Sequence, residues 1–413
     1  MIGLRKPKLF YGWIVVIAAG CVIFVMYGTV VTFGIFFEPV LTEFGWSRAM
    51  TAVAFSLVII IRGSLYMVTG RLTDKYGPRI VVTTCGFLLG MGYLLMSQIS
   101  SLWHFYLLYT LVGVGMSSAW IPQVSTVARW FEKRRGLATG IACAGEGMGI
   151  LIMVPVARWL ISIYDWRSSY IVVGIMALVI VIVAAQFLRR DPHQMGLLPY
   201  GEGEVEKADL NLQATGLSPW EAIHTREFWL LTTVYFCFLF SLDTILAHIA
   251  IHATGLGISA TSAASILAII GGMSVIGRLA MGVFADRAGS KSAIIICFIL
   301  LITAMLWLIV ARAGWMLYLF AAIFGFVFGG LIIQFPLVTA ERFGLTSHGA
   351  IFGIISFIAM VGGALGPVSV GRIFDITGSY QLGFFIGAAA SAIGLMLALL
   401  SRPIQERVAS PTA

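Results

Sequence analysis

Apolar residues run along this chain in long stretches, separated by short segments that hold almost all of the charge. The stretches fall near 12–37, 51–70, 80–98, 103–127, 138–160, 168–188, 227–252, 261–283, 292–311, 315–340, 349–371 and 380–401. Each is roughly 20 residues long, enough for one helix to cross a hydrocarbon core of about 30 Å. Transmembrane strands would instead alternate apolar and polar positions over about 10 residues, and this chain does not. The pattern predicts an all-α polytopic membrane protein with twelve transmembrane helices. The first stretch is far longer than the roughly 7–15-residue core of a signal peptide, so a retained helix is expected there.

Composition supports a lipid solvent: 60% of residues are hydrophobic and 11% charged, where soluble domains carry about 25% charged residues. The charges are unevenly placed. One set of loops holds Arg5, Lys6, Lys8, Arg71, Lys75, Arg79, Arg129, Lys133, Arg134, Arg135, Arg189, Arg190, Lys207, Arg226, Arg287, Lys291, Arg342, Arg402 and Arg407. The opposite set holds Arg48, Arg158, Arg167, Arg312 and Arg372. This bias puts both termini in the cytoplasm, and a bacterial cytoplasmic membrane is the expected location. The net charge of +8 is thus mostly a topology signal. No basic patch on a soluble domain points to nucleic acid. The five cysteines all lie inside apolar stretches and are far apart in sequence, which fits neither a disulfide framework nor a zinc site. The one long polar stretch reads as a linker, dividing the chain into 1–188, 189–226 and 227–413.

The ten residues Gly70-Arg71-Leu72-Thr73-Asp74-Lys75-Tyr76-Gly77-Pro78-Arg79 return as Gly282-Val283-Phe284-Ala285-Asp286-Arg287-Ala288-Gly289-Ser290-Lys291. Both read G-x-x-x-D-(K/R)-x-G-x-(K/R). Pro122 likewise corresponds to Pro336, with Gln123 and Gln334 beside them, and Ser169-Tyr170 to Ser379-Tyr380. Matches at similar offsets in three places imply a duplicated six-helix bundle. Secondary transporters are built this way, with the cargo site between the halves.

The repeated turn resembles the cytoplasmic motif of the major facilitator superfamily. Two further segments narrow the resemblance: Phe10-Tyr11-Gly12-Trp13-Ile14-Val15-Val16, and the run from Arg129-Trp130-Phe131-Glu132-Lys133-Arg134-Arg135 to Gly145. Together they look like the monocarboxylate transporters and their bacterial relatives, the oxalate/formate antiporters included. The resemblance implies two pseudo-symmetric bundles working by alternating access. It also implies a gating role for Gly70, Asp74, Arg79, Gly282, Asp286 and Lys291, each aspartate pinning one helix end beside basic residues.

Charges inside spans are costly and are functional candidates by default. Arg278 lies in a glycine-rich part of the eighth span, and a guanidinium fork matches a carboxylate. In the resembled family an arginine here binds the cargo carboxylate. Arg62, in the second span, is either a second anion contact or the partner of a buried acid. Glu146, near mid-membrane in the fifth span, is either a proton-coupling site or a fixed counter-ion to Arg62. Asp243 is the other candidate proton acceptor, with His248 further along the same helix. Tyr27, Trp120, Gln123 and Gln334 could shape the cavity. The family's eukaryotic members carry an acid four residues before the arginine and a lysine in the first helix; Ser274 and Val31 stand there in this chain. No base lies between Ala350 and Gly371 to hold the far end of a dicarboxylate, as in oxalate carriers.

The expectation is therefore a monomeric, proton-coupled carrier of a small organic anion of the lactate or pyruvate kind, needing no cofactor or metal. The alternatives are an anion exchanger and an exporter of another small organic compound. A cation exporter fits poorly with two intramembrane arginines, a sensor would need a signalling domain, and an enzyme a nucleophile–base pair.

Overall fold

A computed structural model describes residues 10–201 and 216–401. The termini and the middle of the linker lie outside these residues, and with them Arg5, Lys6, Lys8, Lys207, Arg402 and Arg407 of the charge argument. Twelve helices are long and apolar enough to span a membrane. They are α1 Tyr11–Phe44, α2 Arg48–Tyr76, α3 Pro78–Met96, α4 Leu102–Trp130, α5 Arg135–Ile163, α6 Trp166–Phe187, α7 Arg226–Gly255, α8 Ala260–Ala288, α9 Ser290–Val310, α10 Gly314–Phe343, α11 His348–Thr377 and α12 Gln381–Leu400. Each overlaps one apolar stretch read from the sequence. Several run past it, because a helix continues into the polar surface once its backbone bonds are formed.

The first six helices enclose one cluster of buried apolar side chains, from Val15 to Leu188. A second cluster is built mainly from the last six helices and takes in Tyr66, Trp120 and Cys143 from the first. The halves meet along two seams, α2 against α11 and α5 against α8. Small residues make both seams possible. A Cβ at Gly140 of α5 would stand 2.6 Å from the carbonyl oxygen of Arg278 on α8, so a larger residue there would force the helices apart.

The repeated motif forms the same turn twice. α2 ends at Gly77 (φ +84°) and α8 at Gly289 (φ +82°), and the next helix begins at the following residue. A left-handed φ at a one-residue corner favours glycine because no Cβ has to be accommodated. Pro78 then opens α3, where its missing N–H is no loss.

α4 and α10 are each broken at matching places, into Leu102–Met116 and Ile121–Trp130, and into Gly314–Ile332 and Gln334–Phe343. Pro122 and Pro336 cause the breaks, since neither can donate to the carbonyl one turn earlier. Gln123 repairs part of the damage, donating from Nε2 to Ser118 O at 3.2 Å. Gln334, two residues before Pro336, donates to Gly330 O at 3.1 Å and to Met281 O at 3.3 Å, tying the break in α10 to α8.

α1 bends at Thr32, whose hydroxyl donates to Thr29 O at 2.6 Å. Its far end is tied to α6: Glu43 accepts from Arg167 and from the Trp166 indole, both at 2.6 Å. α6 is capped by Asp165, and the N–H of Ser168 holds that carboxyl below the usual range.

A buried two-arginine site between the halves

Arg278 of α8 is fully buried. Its Nη2 donates to Glu146 Oε2 at 2.5 Å, and its Nη1 to Ser274 Oγ at 3.0 Å. Glu146 belongs to α5, so this ion pair crosses between the halves. The Arg278 Cζ also lies 5.2 Å from the Phe328 ring centroid, while its Nε is buried without an acceptor among the described residues. Ser274 thus fills the position of the resembled family's acid with a hydroxyl, and the carboxylate reaches the arginine from the opposite bundle. Neighbouring Gly271 and Gly272 face open space: a Cβ on either would meet nothing within 4 Å among the described residues.

This pairing corrects one expectation. Glu146 takes Arg278 as its hydrogen-bonded partner, not Arg62. Arg62 lies instead against aromatic faces, 5.5 Å from the Tyr27 centroid and 6.0 Å from that of Tyr66. Cation–π contact of this kind stabilises a guanidinium without neutralising it. Trp120 packs edge-on to Tyr27 at 6.2 Å, and its indole N–H has no acceptor among the described residues. Tyr27, Arg62, Tyr66 and Trp120 therefore form one group on the first half. Asp243 of α7 completes the charges; its carboxylate rests against Gly363 of α11, within electrostatic range of Arg62 and Glu146.

Three other candidates sit elsewhere. Gln123 and Gln334 are fully buried and spend their amide N–H groups on the helix breaks, so they do not line the cavity. His248 bonds through Nε2 to Pro367 O at 3.0 Å and stacks near Tyr380, with no hydrogen bond to Glu146, Asp243 or either arginine among the described residues. It is a link between α7 and α11.

The two aspartates of the repeated turns each cap a helix of the opposite half. Asp74 of α2 accepts from the N–H groups of Gly349 (3.2 Å) and Ala350 (2.8 Å), at the start of α11. Asp286 of α8 accepts from Gly136 (2.6 Å) and Leu137 (2.9 Å), at the start of α5. The unpaired amides and partial positive charge of a helix N-terminus make it a ready carboxylate partner. Gly70 and Gly282 serve the same closure, since Cβ atoms there would collide with Gly349 and Gly136.

The trailing cations behave differently from expectation. Arg79 bonds Gln186 of α6 at 2.8 Å, and Lys291 bonds the carbonyls of Leu399 and Ser401 at the end of α12. Both stitch helices within a half. The cation that joins the latch is Arg129, at 2.6 Å from Asp74 and 2.9 Å from Leu345 O. Sequence reading had placed it among the loop charges and in the segment that opens the fifth helix, without a role at the Asp74 turn. Its place at the last turn of α4, next to a proline-broken helix, was the available signal. His348 adds a further bridge, between Ser125 Oγ and Pro336 O, each at 2.9 Å.

Comparison with known proteins agrees with this architecture. The chain is 29% identical to rat monocarboxylate transporter 13 over 388 residues, covering 93% of this chain and 87% of that one. It is 26% identical to human monocarboxylate transporter 12, covering 91% and 77%. It is also 26% identical to the oxalate:formate antiporter of Oxalobacter formigenes, covering 96% and 94%. Among solved structures, the proton:xylose symporter XylE superposes with a TM-score of 0.73 at 13% identity, covering 94% and 95%. FucP in the outward conformation gives 0.70 at 14%, covering 95% and 100%. Those two likenesses concern the fold alone. The Major Facilitator Superfamily model matches residues 18–367, and the chain is a member of that superfamily.

Proposed function

We propose that this transporter carries a small monocarboxylate of the lactate or pyruvate kind together with a proton, by alternating access. The observation that carries the reading is the buried Arg278–Glu146 pair across the halves. A cargo carboxylate can take the guanidinium only if Glu146 gives it up. A carboxylate that loses its partner in a poorly solvated site gives up its charge by taking a proton. Proton and anion then arrive together, and the charge of the site is unchanged.

The cycle follows from the named contacts. With the basic face closed by the Asp74 and Asp286 latches, cargo enters from the other side. Protonated Glu146 releases Arg278, which binds the carboxylate, while Tyr27 and Trp120 border the cargo. Without the Arg278–Glu146 link, the halves are freer to rock and open the basic face. Release of cargo and proton restores the ion pair and resets the carrier. We place the basic face and both termini in the cytoplasm of a bacterial cell, with bundles 1–188 and 227–413 moving about the linker 189–226 as a monomer. Asp243 remains a second candidate for the coupling proton.

An anion exchanger is the second reading, favoured by the oxalate:formate antiporter among the relatives. Uptake of labelled lactate into proteoliposomes, with and without an inward proton gradient, separates the two. Acceleration by the gradient supports symport. Uptake that ignores the gradient but requires an internal anion supports exchange.

A further inference from the structure

Arg62 and Asp243 stand on opposite halves, on α2 and α7, and in the principal cycle above, with Glu146 carrying the proton, neither is used. Their geometry is that of a pair kept apart. Among the described residues Arg62 has no carboxylate within salt-bridge distance, and its Nε is buried without an acceptor. Asp243 likewise makes no hydrogen bond or salt bridge among them, although both positions face neighbouring turns of α11, Asp243 at Gly363 and the Arg62 neighbour Gly63 at Met360. Asp243 therefore compensates the Arg62 charge while leaving its donors unused.

Depth matters as well. Counted back along the helix axes at 1.5 Å per residue, Arg62 lies about 21 Å from Tyr76 and Arg278 about 15 Å from Ala288. The two arginines are thus staggered by about 6 Å along their helices, on opposite halves. The site has the basic equipment for a dicarboxylate, one guanidinium for each end. Its charge count opposes one. Arg62 and Arg278 are balanced by Glu146 and Asp243, so a protonated Glu146 leaves a single uncompensated positive charge. A dianion would add an unpaired negative charge to a poorly solvated site and would meet Asp243 beside Arg62.

Resting on the function proposed above, we infer that Asp243 is the specificity-determining residue that limits the cargo to one carboxylate, and that without its charge Arg62 becomes the second anchor for a dicarboxylate. The discrimination works by repulsion: Asp243 need not touch a monocarboxylate at all.

The test compares the full-length wild type with Asp243→Asn in proteoliposomes, measuring labelled lactate and labelled malonate uptake and their mutual competition. The expected result is lactate uptake little affected by malonate in the wild type. In Asp243→Asn, malonate should compete at about tenfold lower concentration or better and be transported itself. Adding Arg62→Gln should abolish that gain. An Asp243→Asn carrier with the wild-type competition profile overturns the inference, as does a wild type that takes malonate as readily as lactate. Thermal stabilisation of the purified proteins by malonate and by lactate reads the same preference without transport. A wild type that moves no monocarboxylate would sink the proposed function, while the stabilisation ratio would still decide the role of Asp243. If Asp243→Asn does not fold, Asp243→Ser is read by the same two assays.

Discussion

Asp286 and Gly136 meet at 2.6 Å, carboxylate oxygen to amide nitrogen, and they belong to opposite halves of the molecule. Asp74 and Gly349 make the equivalent contact at the other seam, at 3.2 Å. Closure of the basic face therefore rests on two helix N-termini, each held by a carboxylate that the other bundle supplies.

Removing those charges while keeping side-chain size should loosen the face. A carboxylate at a helix N-terminus contributes about 0.3–2 kcal/mol. Asp74→Asn combined with Asp286→Asn should shift the population toward opening by about tenfold, since about 1.4 kcal/mol corresponds to that factor. Spin labels at exposed Arg71 and Arg287, one on each half, would show the longer distance gaining weight. An unchanged distance distribution would contradict the latch role.

Arg278→Gln leaves Glu146 without its partner, and breaking a buried pair in this way costs about 3–5 kcal/mol. We expect a lower melting temperature and loss of measurable uptake. Adding Glu146→Gln should restore much of the stability but none of the transport. Uptake at the wild-type rate by correctly inserted Arg278→Gln would remove Arg278 from the site.

Glu146→Gln alone imitates the protonated acid permanently. Cargo exchange between the two sides should continue, because Arg278 is available. Uptake driven by a proton gradient should vanish. Uptake by this variant that still accelerates with the gradient would move the coupling proton to Asp243.

Gln123→Leu tests the reassignment of that residue from cargo contact to helix repair. It leaves the Ser118 carbonyl without its donor, at a cost of about 1–3 kcal/mol. The melting temperature should fall by several degrees while the order of preference among carboxylates stays the same. A changed preference would return Gln123 to the cavity.

Much of the fold was legible because apolar length and charge bias act locally. A stretch such as 292–311 can be read without knowing its neighbours, and the glycine corners at Gly77 and Gly289 announce themselves by repetition. The site was legible only in part. Arg278 and Glu146 stood out as charges in apolar spans, but their pairing joins positions 132 residues apart through a seam that no periodicity reveals. Gln123 and Gln334 misled because a polar side chain in an apolar span looks like a cavity group. Here the need came from the backbone: Gln123 takes up the Ser118 carbonyl that Pro122 cannot reach, and Gln334 the carbonyls of Gly330 and Met281. Arg129 was hidden among the loop charges that report topology, and only its distance to Asp74 separates it from them.

The exchange of caps between bundles also bears on how the chain is made. Synthesis delivers the first bundle before the second exists. At that stage Asp74 has no helix start to bind, and the first amides of α5 have no carboxylate. Until α8 and α11 are in place, Asp74 has Arg129 of its own bundle, and water must satisfy the open amides of α5. Neither bundle is a finished object alone: each holds one helix end that only an aspartate of the other can cap, and the meeting of the two closes both at once.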